Sequence, residues 1–174
     1  HFYCSSLHKW ILSAKGTGML YVSEDAYDHV EPLILGGNVH QEGKNARKFD
    51  MMGTRDQTPF MGLGAAIDFQ NEIGWEEKIR PYCQGLAGYL KERIKRIKGS
   101  RILTPIDPEL SGFITTFAIE DVDLSPIRNE LWDDEHIETT AFGLGGLSVM
   151  RISTHFYNSR EDIDKMISAI EKRL

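Results

Sequence analysis

The chain has 174 residues, 41% hydrophobic and 26% charged, a balance that suits one ordinary domain, or a small domain plus part of another, and argues against disorder. Its net charge of -6 does not favour nucleic acid or an anionic membrane, since both need a basic patch; a small anion can still bind where a pocket is locally positive. No apolar run approaches the roughly 20 residues that span a bilayer. The first residues show no signal-like stretch, and Cys4 and Cys83 are too few for a disulfide framework, which points to a reduced, cytoplasmic protein.

In chain order, Phe2 to Ser6 and Gly18 to Val22 read as strands joined by a polar connection that contains Leu7-His8-Lys9-Trp10. Two strands cannot bury a core alone, so the chain is expected to begin in the middle of a sheet. Residues 28 to 58 are poor in periodicity and rich in Gly36-Gly37-Asn38 and Gln41-Glu42-Gly43, the mark of a functional or disordered loop. Thr58-Pro59 predicts a helix start with Thr58 as cap. Phe60 to Ile73 is apolar on most sides and reads as a buried helix. A longer helix is predicted from Trp75 to Lys98, bent at Pro81, with Leu86, Leu90, Ile94 and Ile97 on its apolar face and Gly99 as its C-cap. Lys91, Arg93, Lys95, Arg96 and Lys98 read as a solvated basic end. Phe113 to Ile119 is strand-like, Leu124 to Trp132 a helix capped by Asp123, and His136 to Thr140 and Leu147 to Ser153 are short strands. Ser159 to Asp162 opens a last helix with Ile163, Met166, Ile167, Ile170 and Leu174 as its stripe. The architecture is α/β, a small sheet covered by helices on one side.

A lysine on a connection between two strands is held by the sheet and aimed at one point. Its amine reacts with a carbonyl only when deprotonated part of the time, which burial and nearby positive charge both promote. His8 and Ser6 supply groups that can hydrogen-bond an anion. By composition and spacing alone a His-Lys pair such as His8-Lys9 is usually a surface feature, and Lys15-Gly16-Thr17-Gly18 is often a plain turn; no Walker-type phosphate loop is present.

The wording of the stretch is more specific. Phe2-Tyr3, Ser6, His8-Lys9-Trp10 and then Lys15-Gly16-Thr17-Gly18, Leu20-Tyr21-Val22 closely resembles the cofactor-lysine segment of class V aminotransferases. This is the fold-type I group of pyridoxal-phosphate (PLP) enzymes that includes cysteine desulfurases, selenocysteine lyases and isopenicillin N epimerase-like proteins. Arg47 to Asp56 resembles the family's Gly-Thr segment before a helix. Arg151-Ile152-Ser153, Tyr157-Asn158-Ser159 and Glu161-Asp162-Ile163-Asp164 resemble its C-terminal segment. The resemblance implies that Lys9 carries PLP through a Schiff base and moves the substrate's α-proton. It implies that His8 and Ser6 contact the phosphate, that Thr54 reaches the phosphate of a partner subunit in a homodimer, and that Arg151 clamps the carboxylate of an amino-acid substrate. An arginine fork matches a carboxylate with two parallel hydrogen bonds. It further implies that residues 1 to 58 are the end of the large cofactor-binding domain with its connecting loop. Residues 59 to 174 would be helices and the small α/β C-terminal domain.

The family's segment before the lysine carries an aspartate for the pyridine nitrogen and a ring-stacking residue, and neither is found here. The chain is therefore expected to be a fragment of a longer enzyme, not competent alone. Desulfurases of the family use a cysteine shortly before the carboxylate arginine, and Glu138 to Leu147 has none, which favours the isopenicillin N epimerase-like branch. Cys4 and Cys83 read as packed small hydrophobes. Gly143, Gly145 and Gly146 are either a turn between strands or a flexible loop near substrate. His29, His40, His136 and His155 lack metal-ligand spacing, so no metal is expected. Two readings compete: a PLP enzyme of aminotransferase, lyase or epimerase type, and a non-catalytic dimerisation or interaction module derived from the same fold. A phosphate-binding protein unrelated to PLP would leave the Arg151 segment unexplained.

Overall fold

The computed structural model describes residues 1–37, 43, 45–50 and 53–174, in two compact units, His1–Ile73 and Gly74–Leu174. Asn38, His40, Gln41, Glu42, Met51 and Met52, which belong to the loop and motif expectations, lie outside the described residues. Among the described residues no helix is long and apolar enough to cross a membrane.

In the first unit, β1 (Phe2–Ser6) and β2 (Gly18–Val22) pair antiparallel from Phe2↔Val22 to Ser6↔Gly18, at the predicted boundaries. Gly18 is required by close approach: a Cβ there would meet the Ser5 carbonyl oxygen at 3.3 Å. The weakly periodic region that follows holds two short 3₁₀ turns, Glu24–His29 and Ala46–Phe49. Lys48 clips them together. Its buried ammonium donates to the Tyr27 carbonyl at 3.3 Å and stands 4.0 Å from the centre of the Tyr27 ring. Helix α1 spans Thr58–Glu72. Its cap is Gln57 rather than Thr58, and the Asp56 carboxylate accepts from the Thr58 amide at 2.8 Å, which fills the capping role from two residues back. The expectation of a buried helix fails: only Ala66 and Gln70 are buried, while Phe60, Met61, Ile67 and Phe69 are exposed. A helix apolar on most sides needs partners on most sides to bury it, and here one face alone is covered. Helix α1 falls in the first compact unit, which runs to Ile73.

The second unit opens on a single π turn, Trp75–Ile79, continued by α2 (Arg80–Ile94) with Pro81 in its first turn. The proline thus sits where its missing N–H is harmless, and the helix ends four residues before the predicted Lys98. The sheet has order β3-β4-β6-β5, with β3 Ser100–Ile102, β4 Ile114–Ile119, β5 Thr140–Leu144 and β6 Leu147–Ser153, every neighbouring pair antiparallel. β5 lies later than the predicted strand His136–Thr140, because His136 takes a left-handed conformation as the C-cap of α3 (Leu124–Glu135). Strand β3 has no counterpart in the sequence reading; three residues are too few to show alternation. α4 (Arg160–Glu171) begins on a capping box: the Asp162 amide donates to the Ser159 hydroxyl at 3.2 Å and the Ser159 amide donates to Asp162 at 2.9 Å.

One core joins α2, α3 and α4 to a single face of the sheet. Leu86, Leu90 and Ile94, then Leu124, Ile127 and Leu131, then Ile163, Met166, Ile167 and Ile170 meet Phe117, Ile119, Met150 and Ile152. Alternation along β4 and β6 puts those four on one side, and the register Thr116↔Arg151↔Thr140 puts Arg151 on the other. Leu174, assigned to the apolar stripe, is exposed. The basic end of α2 is not uniformly solvated. Lys91 is only 4% exposed, its ammonium donates to the Pro105 carbonyl at 2.8 Å and the Ser111 hydroxyl at 2.7 Å, and burial followed by the charge of Lys95 holds its pKa down. Arg93 pairs with Asp164.

Candidate functional site

Lys9 stands at the crest of the connection between β1 and β2, and its side chain is exposed with no ion pair among the described residues. The connection is pinned by its own backbone. The Leu7 amide donates to the Thr17 carbonyl at 3.1 Å, the Ser13 amide to the Leu7 carbonyl at 3.0 Å, and the Leu12 amide to the Lys9 carbonyl at 3.1 Å. Thr17 is buried, and its hydroxyl donates to the Ala14 carbonyl at 2.7 Å. Leu12 accepts a left-handed backbone, φ 62°, a conformation that costs a non-glycine residue roughly 1–2 kcal/mol and persists only where its surroundings impose it. From helix α1, the Gln70 amide reaches the carbonyl of Trp10 at 3.0 Å. The burial expected at Lys9 is thus found in the loop beneath it and not at the amine.

Among the described residues, His8 Nδ1 is buried without a hydrogen-bond partner, as is the Ser13 hydroxyl. An orphaned buried nitrogen next to the lysine fits an acceptor group brought by a ligand, such as a phosphate oxygen. Ser6 closes the strand pairing opposite Gly18 and is exposed. Thr54 is exposed as well, between Gly53 and the Asp56 cap of α1. His8, Ser6 and Lys9 therefore share the end of one hairpin, and among the described residues Thr54 makes no hydrogen bond to them.

The second unit holds a cavity of about 590 Å³. Arg151, Ser153 and Tyr157 from β6 and its exit line it, with Thr139, Thr140 and Lys165 facing them. Arg151 is exposed on the face of the sheet opposite the core and makes no ion pair among the described residues. Although Arg151 follows the apolar run Leu147 to Met150, the strand's alternation keeps it off the core face. A guanidinium without a carboxylate of its own is available to one that arrives. Tyr157 stacks on His155, with ring centres 4.6 Å apart and planes at 11°, and burial holds the His155 imidazole below its ordinary pKa. The His155 amide donates to Asn158 at 2.9 Å. Gly145 and Gly146, at φ 57° and 81°, make the two-residue turn between β5 and β6, while Gly143 lies within β5; the glycines are a hairpin turn.

Sequence reasoning missed Gln70 and the lining residues Thr139 and Lys165. No local signal marks Gln70, which stands among Asp68, Asn71 and Glu72 at the polar end of its helix. Cys83 is buried as expected, and burial raises its thiol pKa; Cys4 is exposed, because β1 has no covered face.

The class V aminotransferase family model matches residues 1–166, and the chain belongs to that family. The family is PLP-dependent. The chain is 29% identical to the isopenicillin N epimerase of Amycolatopsis lactamdurans over 98% of its own length and 46% of the relative. It is 29% identical to the cysteine desulfurase of Haloferax volcanii over 98% of its own length and 43% of the relative. Among solved structures, the apo cysteine desulfurase of Thermococcus onnurineus NA1 superposes with a TM-score of 0.81 at 22% identity, covering 99% of this chain and 46% of that one. A cystine C-S lyase with glycine covalently linked to its PLP superposes with a TM-score of 0.75 at 17% identity, covering 94% and 43%. The fold is thus that of the PLP-dependent desulfurase structures, and the chain spans less than half the length of the curated relatives it matches.

Proposed function

We propose that the intact protein is a PLP-dependent enzyme acting on an amino acid or related amine, of aminotransferase, lyase or epimerase type. The observation that carries the reading is an exposed lysine on a pinned hairpin connection, beside a buried histidine nitrogen, both without a partner among the described residues, in a chain of the class V family. Lys9 would hold the cofactor covalently and move the proton at the substrate Cα. His8 and Ser6 would bind its phosphate, and Thr54 would do so from the neighbouring subunit of a homodimer. Arg151 would orient the substrate through its carboxylate. When bound, PLP supplies the electron sink that makes a bond at Cα labile, so the protein has only to position and polarise. Segment 138–147 forms β5 and its turn without a thiol, which weighs against a desulfurase. A cytoplasmic location is supported by the two free cysteines.

Borohydride reduction of the intact protein with PLP, followed by peptide mapping, is expected to label Lys9, and the absorbance band of the bound cofactor to vanish in Lys9→Ala. Label at Lys15 would sink the assignment. Absence of any label would favour the non-catalytic module. A monomer that binds PLP with full affinity at high dilution would exclude the dimer and the role of Thr54.

A further inference from the structure

We infer that Gln70 is a positioning residue for the lysine loop, holding the chain beside Lys9 through the carbonyl of Trp10. The inference rests on the reading of Lys9 given above, but the contact itself does not. Ala66 and Gln70 are the buried residues of α1 and lie four apart, hence on one face. The alanine leaves room for close approach, and the glutamine, 6% exposed, fills the same face one turn on. Its Nε2 donates to the Trp10 carbonyl at 3.0 Å across sixty residues of sequence. Its Oε1 is buried without a partner among the described residues. An apolar residue of the same size would avoid that cost, since an unsatisfied buried polar atom is worth about 1–3 kcal/mol against the fold. Packing alone does not account for an amide here; a directed bond to the loop does.

What the bond reaches is the strained part of the connection. Trp10 follows Lys9 directly, and the Lys9 carbonyl accepts from Leu12, the residue with φ 62°. The turn Lys9–Leu12 is therefore closed at one end by its own backbone bond and fixed at Trp10 by the helix. A left-handed leucine relaxes if its surroundings let it, and relaxation would rotate the peptide that carries the Lys9 side chain. Gln70 never touches the cofactor in this scheme; it determines where the amine can be.

The test compares Gln70→Met, which keeps the volume and loses the donor, with Gln70→Glu, which puts an acceptor against the Trp10 carbonyl. In the intact protein without PLP, amide hydrogen exchange over residues 10–13 is expected to rise about fivefold in the methionine variant, the loss of one neutral hydrogen bond, and further in the glutamate variant. Exchange in β4 and β6 stays at the wild-type rate. With PLP, both variants are expected to keep the label on the same lysine as wild type. The pH midpoint of the bound-cofactor band moves by about half a unit or more, and kcat falls with KM for the amino acid little changed. Wild-type exchange at residues 10–13 in both variants would overturn the inference, and so would a rise spread evenly over the chain, which marks a packing residue. If the wild-type label falls elsewhere than Lys9, the functional reading fails while the exchange result still decides the contact.

Discussion

In the unit Gly74–Leu174 the large apolar side chains Phe117, Leu90, Ile94 and Ile167 are wholly buried in one cluster with three helices over one sheet face. In the unit His1–Ile73 the comparable side chains Tyr3, Leu20, Leu33 and Met61 are exposed, and among the described residues the buried apolar ones are Leu7, Ala26 and Ala66. The first unit is organised instead by hydrogen bonds: the strand pairing, the turn Lys9–Leu12, the Gln70 tie and the Lys48 clip. The difference is one of what enforces geometry. Where a core exists, packing sets positions, and polar residues cap and trim. Around the candidate cofactor lysine, individual polar contacts set them, so single donors matter more there than single methylenes.

The contrast is sharpest for the core. Phe117→Ala is expected to cost about 3–5 kcal/mol, the range for emptying a fully packed aromatic site, read as a lower urea midpoint of the fluorescence of Trp75 and Trp132. A loss under about 1 kcal/mol would show that the second unit is not held by this cluster. Next comes Arg151→Lys, which keeps the charge and loses the fork. Amino-acid binding in the intact protein is expected to weaken by about 1.5–3 kcal/mol, the worth of a hydrogen bond to a charged group. PLP binding should survive, and an amine without a carboxylate should react almost equally with both forms. Loss of PLP or of folding in this variant would make the arginine structural.

Smaller effects follow from the polar trim of the second unit. Ser159→Ala removes one half of the capping box and is expected to cost about 1 kcal/mol by the same urea measurement. His155 gives a pH dependence whose sign is fixed by burial. Its folded pKa lies below the ordinary value of 6.5, so the folded state takes up its proton less readily than the unfolded chain does. The stability it contributes is complete above about pH 6.5 and is lost as the pH falls through the lowered value. Asp123, whose carboxyl is held below the usual range first by the Ser125 amide and then by the Ser148 hydroxyl, loses its contribution in the same direction at lower pH. A urea midpoint that rises on acidification from pH 7 to about 5 would contradict the His155 assignment, and one that rises on acidification below about pH 4 would contradict that of Asp123. The least effect is expected at Met61, 79% exposed on α1, where replacement by alanine should change stability by less than about 0.5 kcal/mol. A larger loss there would mean that the first unit has a core after all.

Much of this is legible in local chemistry. β1, β2 and β6 begin and end where the sequence analysis puts them, because short runs rich in aromatic and aliphatic side chains between polar connections and turns are read from neighbouring residues alone. Asp123 and Ser159 cap their helices as expected, since the cap contact spans only two or three residues. The three segments of family resemblance bring Lys9, His8, Ser6, Thr54 and Arg151 into view as residue types in order.

Other features depend on contacts far along the chain. The apolarity of α1 carries no information about which of its faces is covered. Lys91 looks like its basic neighbours until the loop through Pro105 and Ser111 comes to rest on it. Arg151 follows an apolar run, yet strand pairing turns it to the face opposite the core. The bond from Gln70 to Trp10 joins positions whose proximity no periodicity encodes. The sequence by itself determined most of the helix and strand segments, where two helices are capped, and which lysine is the candidate to carry a cofactor, because those properties reside in side chains and their nearest neighbours. Burial, exposure and the pinning of the lysine loop were decided only by the tertiary structure, because each depends on what the rest of the chain brings to the same place.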